Sequence, residues 1–270
     1  MEFSEYLKSQ QLTDATIKTY VYGFDKLYIM LGKEPHKVTE TRIITVITKA
    51  DSSLNTKKIM LVSAIKVFNQ YEMPTTKLAK YMEDLKILIA KQTDAKLKEL
   101  VLPSLSELKQ HNKNQRLTND YTGFIITELL LRYCLRNKDM VMLITTNKDD
   151  INGIDNFIYV ANTYIRITIN SYKTSGTYGP KLIICKLQSF VSVVKLFLDG
   201  AESRMLIPYD IGTNLSNFVM KHTYNKLSES IYFKVIAKSL ASAGKVKQLK
   251  QAGIYRGTSL EEIISTYLQE

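Results

Sequence analysis

FIYVANTYIRITINSYKTSGTYGPKLIICK, residues 157–186, decides the architecture. Its runs at 157–160, 164–169 and 181–186 are rich in β-branched and aromatic residues and are separated by turns carrying Asn and Gly. That pattern predicts a small antiparallel sheet of three strands. On both sides the period of apolar residues changes to that of helices. Upstream, residues 121–135 are apolar through Phe124, Ile125, Leu129, Leu130 and Leu131, so this helix should be central to a core. Downstream, helical patterns resume at 187–198, 215–224, 232–243 and 259–268. The second half therefore reads as helices with one sheet inserted between them.

The first ninety residues show no strand pattern. At 13–32, Thr13 can cap, Ile17, Tyr20, Val21, Phe24, Leu27, Tyr28 and Leu31 recur at steps of three and four, and Gly32 supplies a stop. Further helices begin near Thr39 and Asn55, the second ending before Pro74, and a fourth runs through Leu78, Met82, Leu85 and Ile89. The fold class expected is mainly α with a small antiparallel β-sheet: a helical bundle at 1–90, a lysine-rich linker at 91–103 closed by Pro103, and an α+β domain at 104–270.

The 270 residues carry 37 Lys+Arg against 26 Asp+Glu, a net charge of +11. The excess is spread over both halves, which suits a shared electrostatic task and makes a polyanion the first partner to consider. Lys57, Lys58 and Lys66 project from the outer side of one first-domain helix, and Lys238 lies on a second-domain helix. Cys134 and Cys185 are far apart and suggest neither a disulfide framework nor a zinc site. The N-terminus has no apolar leader and no run of about 18 apolar residues occurs, so a soluble, intracellular protein without membrane partners is expected. Signatures of nucleotide hydrolysis, zinc proteolysis and serine hydrolysis are absent, and His36, His111 and His222 are scattered. No metal or cofactor is expected.

Four segments in order resemble the tyrosine recombinase (phage integrase) family. TDATIKTY, from Thr13 to Tyr20, resembles the opening of the family's core-binding (SAM-like) domain. YCLRNKDMVMLITTNKDDI resembles the first arginine box and assigns Arg136. INSYKTSGTYGPKLIIC resembles the hairpin bearing the catalytic lysine and assigns Lys173, with Lys181 the weaker candidate. The stretch from Tyr232 through the SAG turn to Leu268 resembles the second box and tyrosine helix, with Tyr267 at the nucleophile position. The intervals from Arg136 to Lys234 and from Lys234 to Tyr267 match the family's spacing. The family's second arginine is here Lys234, the histidine three before it is Ile231, and the later histidine or tryptophan falls near Thr258, with Gly257 the alternative.

The resemblance implies double-stranded DNA as partner, oligomerisation on DNA, and cutting and rejoining through a 3′-phosphotyrosyl intermediate, in a protein of viral or mobile-element type. The chemistry is coherent. A tyrosine hydroxyl has a pKa near 10 and attacks poorly without help. The phosphorane it forms is more negative than the phosphodiester, so guanidinium donors stabilise it, and the leaving 5′-oxygen needs a proton, which a lysine can supply. Arg136, Lys173, Lys234 and Tyr267 form the implied catalytic set, and Lys57, Lys58, Lys66, Lys181, Lys238 and Arg256 the DNA-contacting set. Because Lys234 is a point donor rather than a fork, strand transfer should be slowed. The alternative is a catalytically inactive binder with the recombinase fold, and a third reading is an all-helical regulator lacking the hairpin near Arg136.

Overall fold

A computed structural model describes residues 2–99, 101–172, 175–208 and 214–268. The protein is mainly helical with a small mixed five-stranded sheet, and it divides into two compact units, Met1–Val101 and Leu102–Glu270.

The first unit is all helical: α1 (Phe3–Ser9), α2 (Asp14–Leu31), α3 (Glu40–Lys49), α4 (Leu54–Gln70) and α5 (Thr76–Glu99). The hydroxyls of Thr13, Thr39 and Ser53 accept from the backbone N–H three residues on and start α2, α3 and α4. Gly32 ends α2 in the left-handed region at φ 70. The core gathers Leu27, Ile43, Ile47, Met60, Leu61 and Phe68 around α4, joined by Leu78, Met82 and Leu85 of α5. Residues 91–99, read from sequence as connector, continue α5 instead, because alanine and lysine sustain a helix once packing has begun it.

The second unit begins with α6 (Leu105–Leu117) and α7 (Tyr121–Tyr133). Ser104 and Glu107 form a reciprocal capping box on α6, and Asp120 accepts from the Gly123 N–H at the head of α7. After α7 come β1 (Met142–Thr145), β2 (Asn156–Val160), β3 (Ile165–Ile169), the short α8 (Ser175–Tyr178) and β4 (Lys181–Cys185). The unit then continues with α9 (Gln188–Leu198), β5 (Ser203–Met205), α10 (Leu215–His222), α11 (Glu229–Ser242), α12 (Val246–Arg256) and α13 (Leu260–Tyr267).

The sheet order is β4-β3-β2-β1-β5, with β1 parallel to β2 and the other neighbours antiparallel. The three antiparallel strands expected are therefore the β2-β3-β4 portion of a larger mixed sheet. β1 and β5 went unread because each is only three or four residues long, too short to show an alternating pattern. Alternation puts Ile144, Ile158, Ile167 and Ile183 on one face, where they form the main core with Phe124, Ile125 and Leu129 of α7 and Phe190 and Val194 of α9. The register pairs Ile169 with Lys181 at the closed end of the β3-β4 hairpin. By the same alternation Lys181 shares the helix-covered face of Ile183 and Cys185, at its rim. A second cluster of Cys134, Phe233, Ile236, Leu249 and Ile263 packs α11, α12 and α13 together.

Candidate active site

α7 ends on Cys134, whose left-handed φ of 52 turns the chain sharply. Arg136 follows at the head of a 3₁₀ turn over Asn137–Met140 and is partly exposed. Its backbone N–H donates to Asp139 Oδ2 at 3.0 Å, and its Nη2 donates to Thr258 Oγ1 at 3.2 Å. Its Nη1 is buried without a hydrogen-bond partner. A desolvated, unpaired guanidinium N–H is a donor in waiting, since leaving it unmatched costs free energy that an incoming oxygen recovers.

Thr258 reaches Arg136 because of a local stop and restart. Gly257 closes α12 in the left-handed region at φ 68, the Thr258 N–H donates back to Gly253 O at 2.9 Å, and the Ser259 hydroxyl caps α13. The position read as the family's histidine or tryptophan thus carries a hydroxyl touching Arg136.

Lys181 approaches from the hairpin. Its Nζ donates to Tyr255 O at 2.8 Å, at the C-terminus of α12, and stands 3.6 Å from the centre of the Tyr172 ring. Desolvation pushes the ammonium down to about 8; the nearby Asp139 carboxylate opposes this shift and the Arg136 guanidinium reinforces it. Asp139 is itself buried, and burial raises its pKa against the Arg136 N–H bond and the Lys181 and Arg136 charges. Arg136, Asp139, Lys181 and Thr258 therefore make one electrostatic group. A pocket of about 530 Å³ opens beside it, lined among others by Tyr172, Lys181, Leu182, Tyr255, Thr258 and Leu260.

Tyr267 is half-buried on the last turn of α13. Its ring meets Phe233 edge to face at 4.7 Å and lies 5.8 Å from the guanidinium carbon of Arg256. Arg256 in turn donates through Nη1 to Cys134 O at 3.4 Å, two residues before Arg136. The phenol-bearing helix and the Arg136 turn accordingly share one neighbourhood.

The remaining sequence-derived candidates fall out as follows. Lys173 lies outside the described residues. Lys234 is buried on α11, 8% exposed. Arg256, expected to face DNA, is instead an interior residue, 3% exposed and ion-paired with Glu229 at 3.2 Å. Its burial follows from α12, whose inward residues Leu249, Ala252 and Gly253 set the stripe that Arg256 completes. Lys57 Nζ donates to Thr48 O at 2.9 Å, near the end of α3. Lys58, Lys66 and Lys238 are half-buried on their helices. Asp139 and Glu229 were missed by sequence reasoning; the available signal was an acidic residue in the first turn after a break, at Asn137 and at Ser228.

No family model and no curated protein matches this chain. Among solved structures it is similar to the crystal structure of XerA recombinase, with 14% sequence identity over 99% of this chain and 96% of that chain and a TM-score of 0.36. Among the described residues no helix is long and apolar enough to cross a membrane, and no group of His, Cys, Asp and Glu is arranged to hold a metal.

Proposed function

We propose that the chain binds double-stranded DNA and exchanges its strands as a tyrosine recombinase does, forming an oligomer on the DNA. The observation carrying this reading is the convergence of Arg136, Lys181 and Thr258 on one site, with the Arg136 Nη1 donor unsatisfied. An all-helical regulator would have no reason to bring a hairpin lysine to that arginine.

In this mechanism the Tyr267 oxygen attacks the scissile phosphorus, the phosphotyrosyl bond forms and the bond to the 5′-oxygen breaks. Arg136 stabilises the equatorial oxygens of the phosphorane. Lys181 gives its proton to the leaving 5′-oxygen, and an ammonium depressed to about 8 is matched to that task near neutral pH. Isoleucine at 231 offers no imidazole, so the phenol proton passes to solvent. The bond energy is kept in the phosphotyrosyl link, and rejoining reverses each step.

Incubation with a nicked suicide duplex should trap a covalent adduct that Tyr267→Phe abolishes. An adduct that persists in Tyr267→Phe would reject the assignment. DNA affinity should fall steeply with salt, and a flat log-log slope would remove nucleic acid altogether.

A second reading, DNA binding without strand transfer, is favoured by the burial of Lys234, 8% exposed, and by the isoleucine at 231. It predicts steep salt dependence with no adduct, and cleavage only after Lys234→Arg and Ile231→His are installed together.

A further inference from the structure

Arg256 belongs neither to the phosphate-facing group nor to a DNA-facing surface. Its guanidinium is 3% exposed and engages three separate parts of the second unit. Nη2 pairs with Glu229 Oε1 at 3.2 Å, Nη1 donates to Cys134 O at 3.4 Å, and the planar group lies 4.6 Å from the Phe233 ring and 5.8 Å from the Tyr267 ring. Glu229 completes the circuit, because its other oxygen accepts from the backbone N–H of Asn137, next to Arg136. Removing two charges from water is costly unless each is fully matched. Here the pair spans the two segments that carry the proposed clamp and the proposed nucleophile. An apolar cluster of Phe233, Ile236 and Leu249 already glues the helices, so packing alone does not require the ions.

We infer that Arg256 and Glu229 form a positioning pair that fixes the Arg136 turn and the Tyr267 ring relative to each other. The inference rests on the strand-transfer reading for its catalytic consequence but not for its structural one. Arg256 holds Cys134 O directly and supports the face of Tyr267. Glu229 holds the Asn137 N–H and keeps Arg256 aimed. Neither touches the reacting phosphate; loss of either should loosen both segments together, and a displacement near 1 Å at a reacting centre typically slows chemistry by about 10²-fold.

The test uses the full chain and three variants: Arg256→Met, Glu229→Gln and the double substitution. The double variant guards against misfolding, since replacing a buried ion pair as a whole is often neutral for stability whereas stranding one partner is not. Two readouts are taken. Amide hydrogen exchange reports on peptides covering residues 134–140 and 260–268, and single-turnover adduct formation on a nicked duplex is measured beside DNA affinity. The expected result is joint loss of protection in both peptides in every variant, with adduct formation slowed by roughly 10- to 100-fold and DNA affinity unchanged. A double variant with wild-type protection in either peptide, or with a wild-type adduct rate, overturns the inference, as does a rate loss wholly accounted for by weaker DNA binding. If the unsubstituted chain forms no adduct, the strand-transfer reading fails while the exchange data alone decide the pair.

Discussion

Lys181→Met is the substitution whose consequences can be worked furthest. The Lys181 ammonium falls from its ordinary 10.5 to about 8, chiefly through desolvation. At about 1.36 kcal/mol per pH unit this bounds the effect at about 3.4 kcal/mol. Because the side chain is only half-buried, solvent screening reduces the expected figure to roughly 1–2 kcal/mol. The direction follows from proton counting. Between pH 8 and 10.5 the unfolded chain binds the Lys181 proton and the folded chain does not, so stability rises with pH across that window and the gain is lost as pH falls back from 10.5 to 8. Burial acts oppositely on Cys134 and Tyr232, each pushed up to about 12, and on Tyr133, and these withdraw stability as pH climbs above about 9. They act equally in wild type and variant, so the difference between the two curves isolates Lys181. Urea denaturation from pH 7 to 9.5 should show a rising wild-type contribution that Lys181→Met lacks. In parallel, NMR of ¹³Cε-labelled lysine should reveal one resonance titrating near 8 that disappears in the variant. Parallel stability curves, together with no lysine titrating below about 9, would refute the placement of Lys181 against Arg136 and Asp139.

Thr258→Val removes the acceptor of the Arg136 Nη2 bond while keeping shape; adduct formation should slow by about tenfold and Thr258→Ser should restore it, whereas a valine variant at full rate would show that this bond holds nothing in place. Asp139→Asn deletes the charge that supports the Lys181 ammonium, so the alkaline limb of the cleavage pH profile should move to lower pH, and a limb that stays or rises would contradict the coupling. Gly253→Ala places a Cβ 2.8 Å from the Thr258 carbonyl oxygen and 2.8 Å from Ile263 Cδ1; backbone cannot yield cheaply, so thermal unfolding should report a loss of about 1–3 kcal/mol, and an unchanged midpoint would mean that α12 and α13 separate easily.

Helices whose periodicity and caps agree were legible, with Thr13 and Gly32 bounding α2 and Ser259 starting α13, whereas the polar α6 and α12 show too weak an apolar stripe to be read. The sheet was half legible. β2, β3 and β4 are long enough to show β-branched runs, but β1 and β5, at four and three residues, are placed by their pairing, Met142 with Asn156 and Ile144 with Arg204. At the site, the arginine box singled out Arg136, and the YKTSG segment pointed to Lys173, which lies outside the described residues. The alternation Lys181, Ile183, Cys185 already pointed Lys181 toward the covered face. Arg256 sits where the sequence suggests a turn and a DNA contact, but Leu249, Ala252 and Gly253 set a stripe at helical spacing that ends on it and buries it. Its partner Glu229 is 27 residues away in sequence, and nothing local encodes that meeting.

The two acidic side chains at the site divide the positive charge into different uses. Glu229 is consumed by Arg256, giving a neutral, buried unit whose rigidity is its contribution. Asp139 faces two cations, Arg136 and Lys181, so one positive charge is left over even with the carboxylate ionised, and burial raising its pKa increases that excess whenever it takes a proton. A site built this way suits an anion such as phosphate without needing one to hold its shape. In the proposed mechanism the same surplus would make Lys181 the acid rather than a second clamp. A guanidinium keeps its charge whereas the lysine beside it is held close to release, so in that mechanism the proton would move as negative charge builds on the leaving oxygen and the remaining cation would stay with the phosphorane.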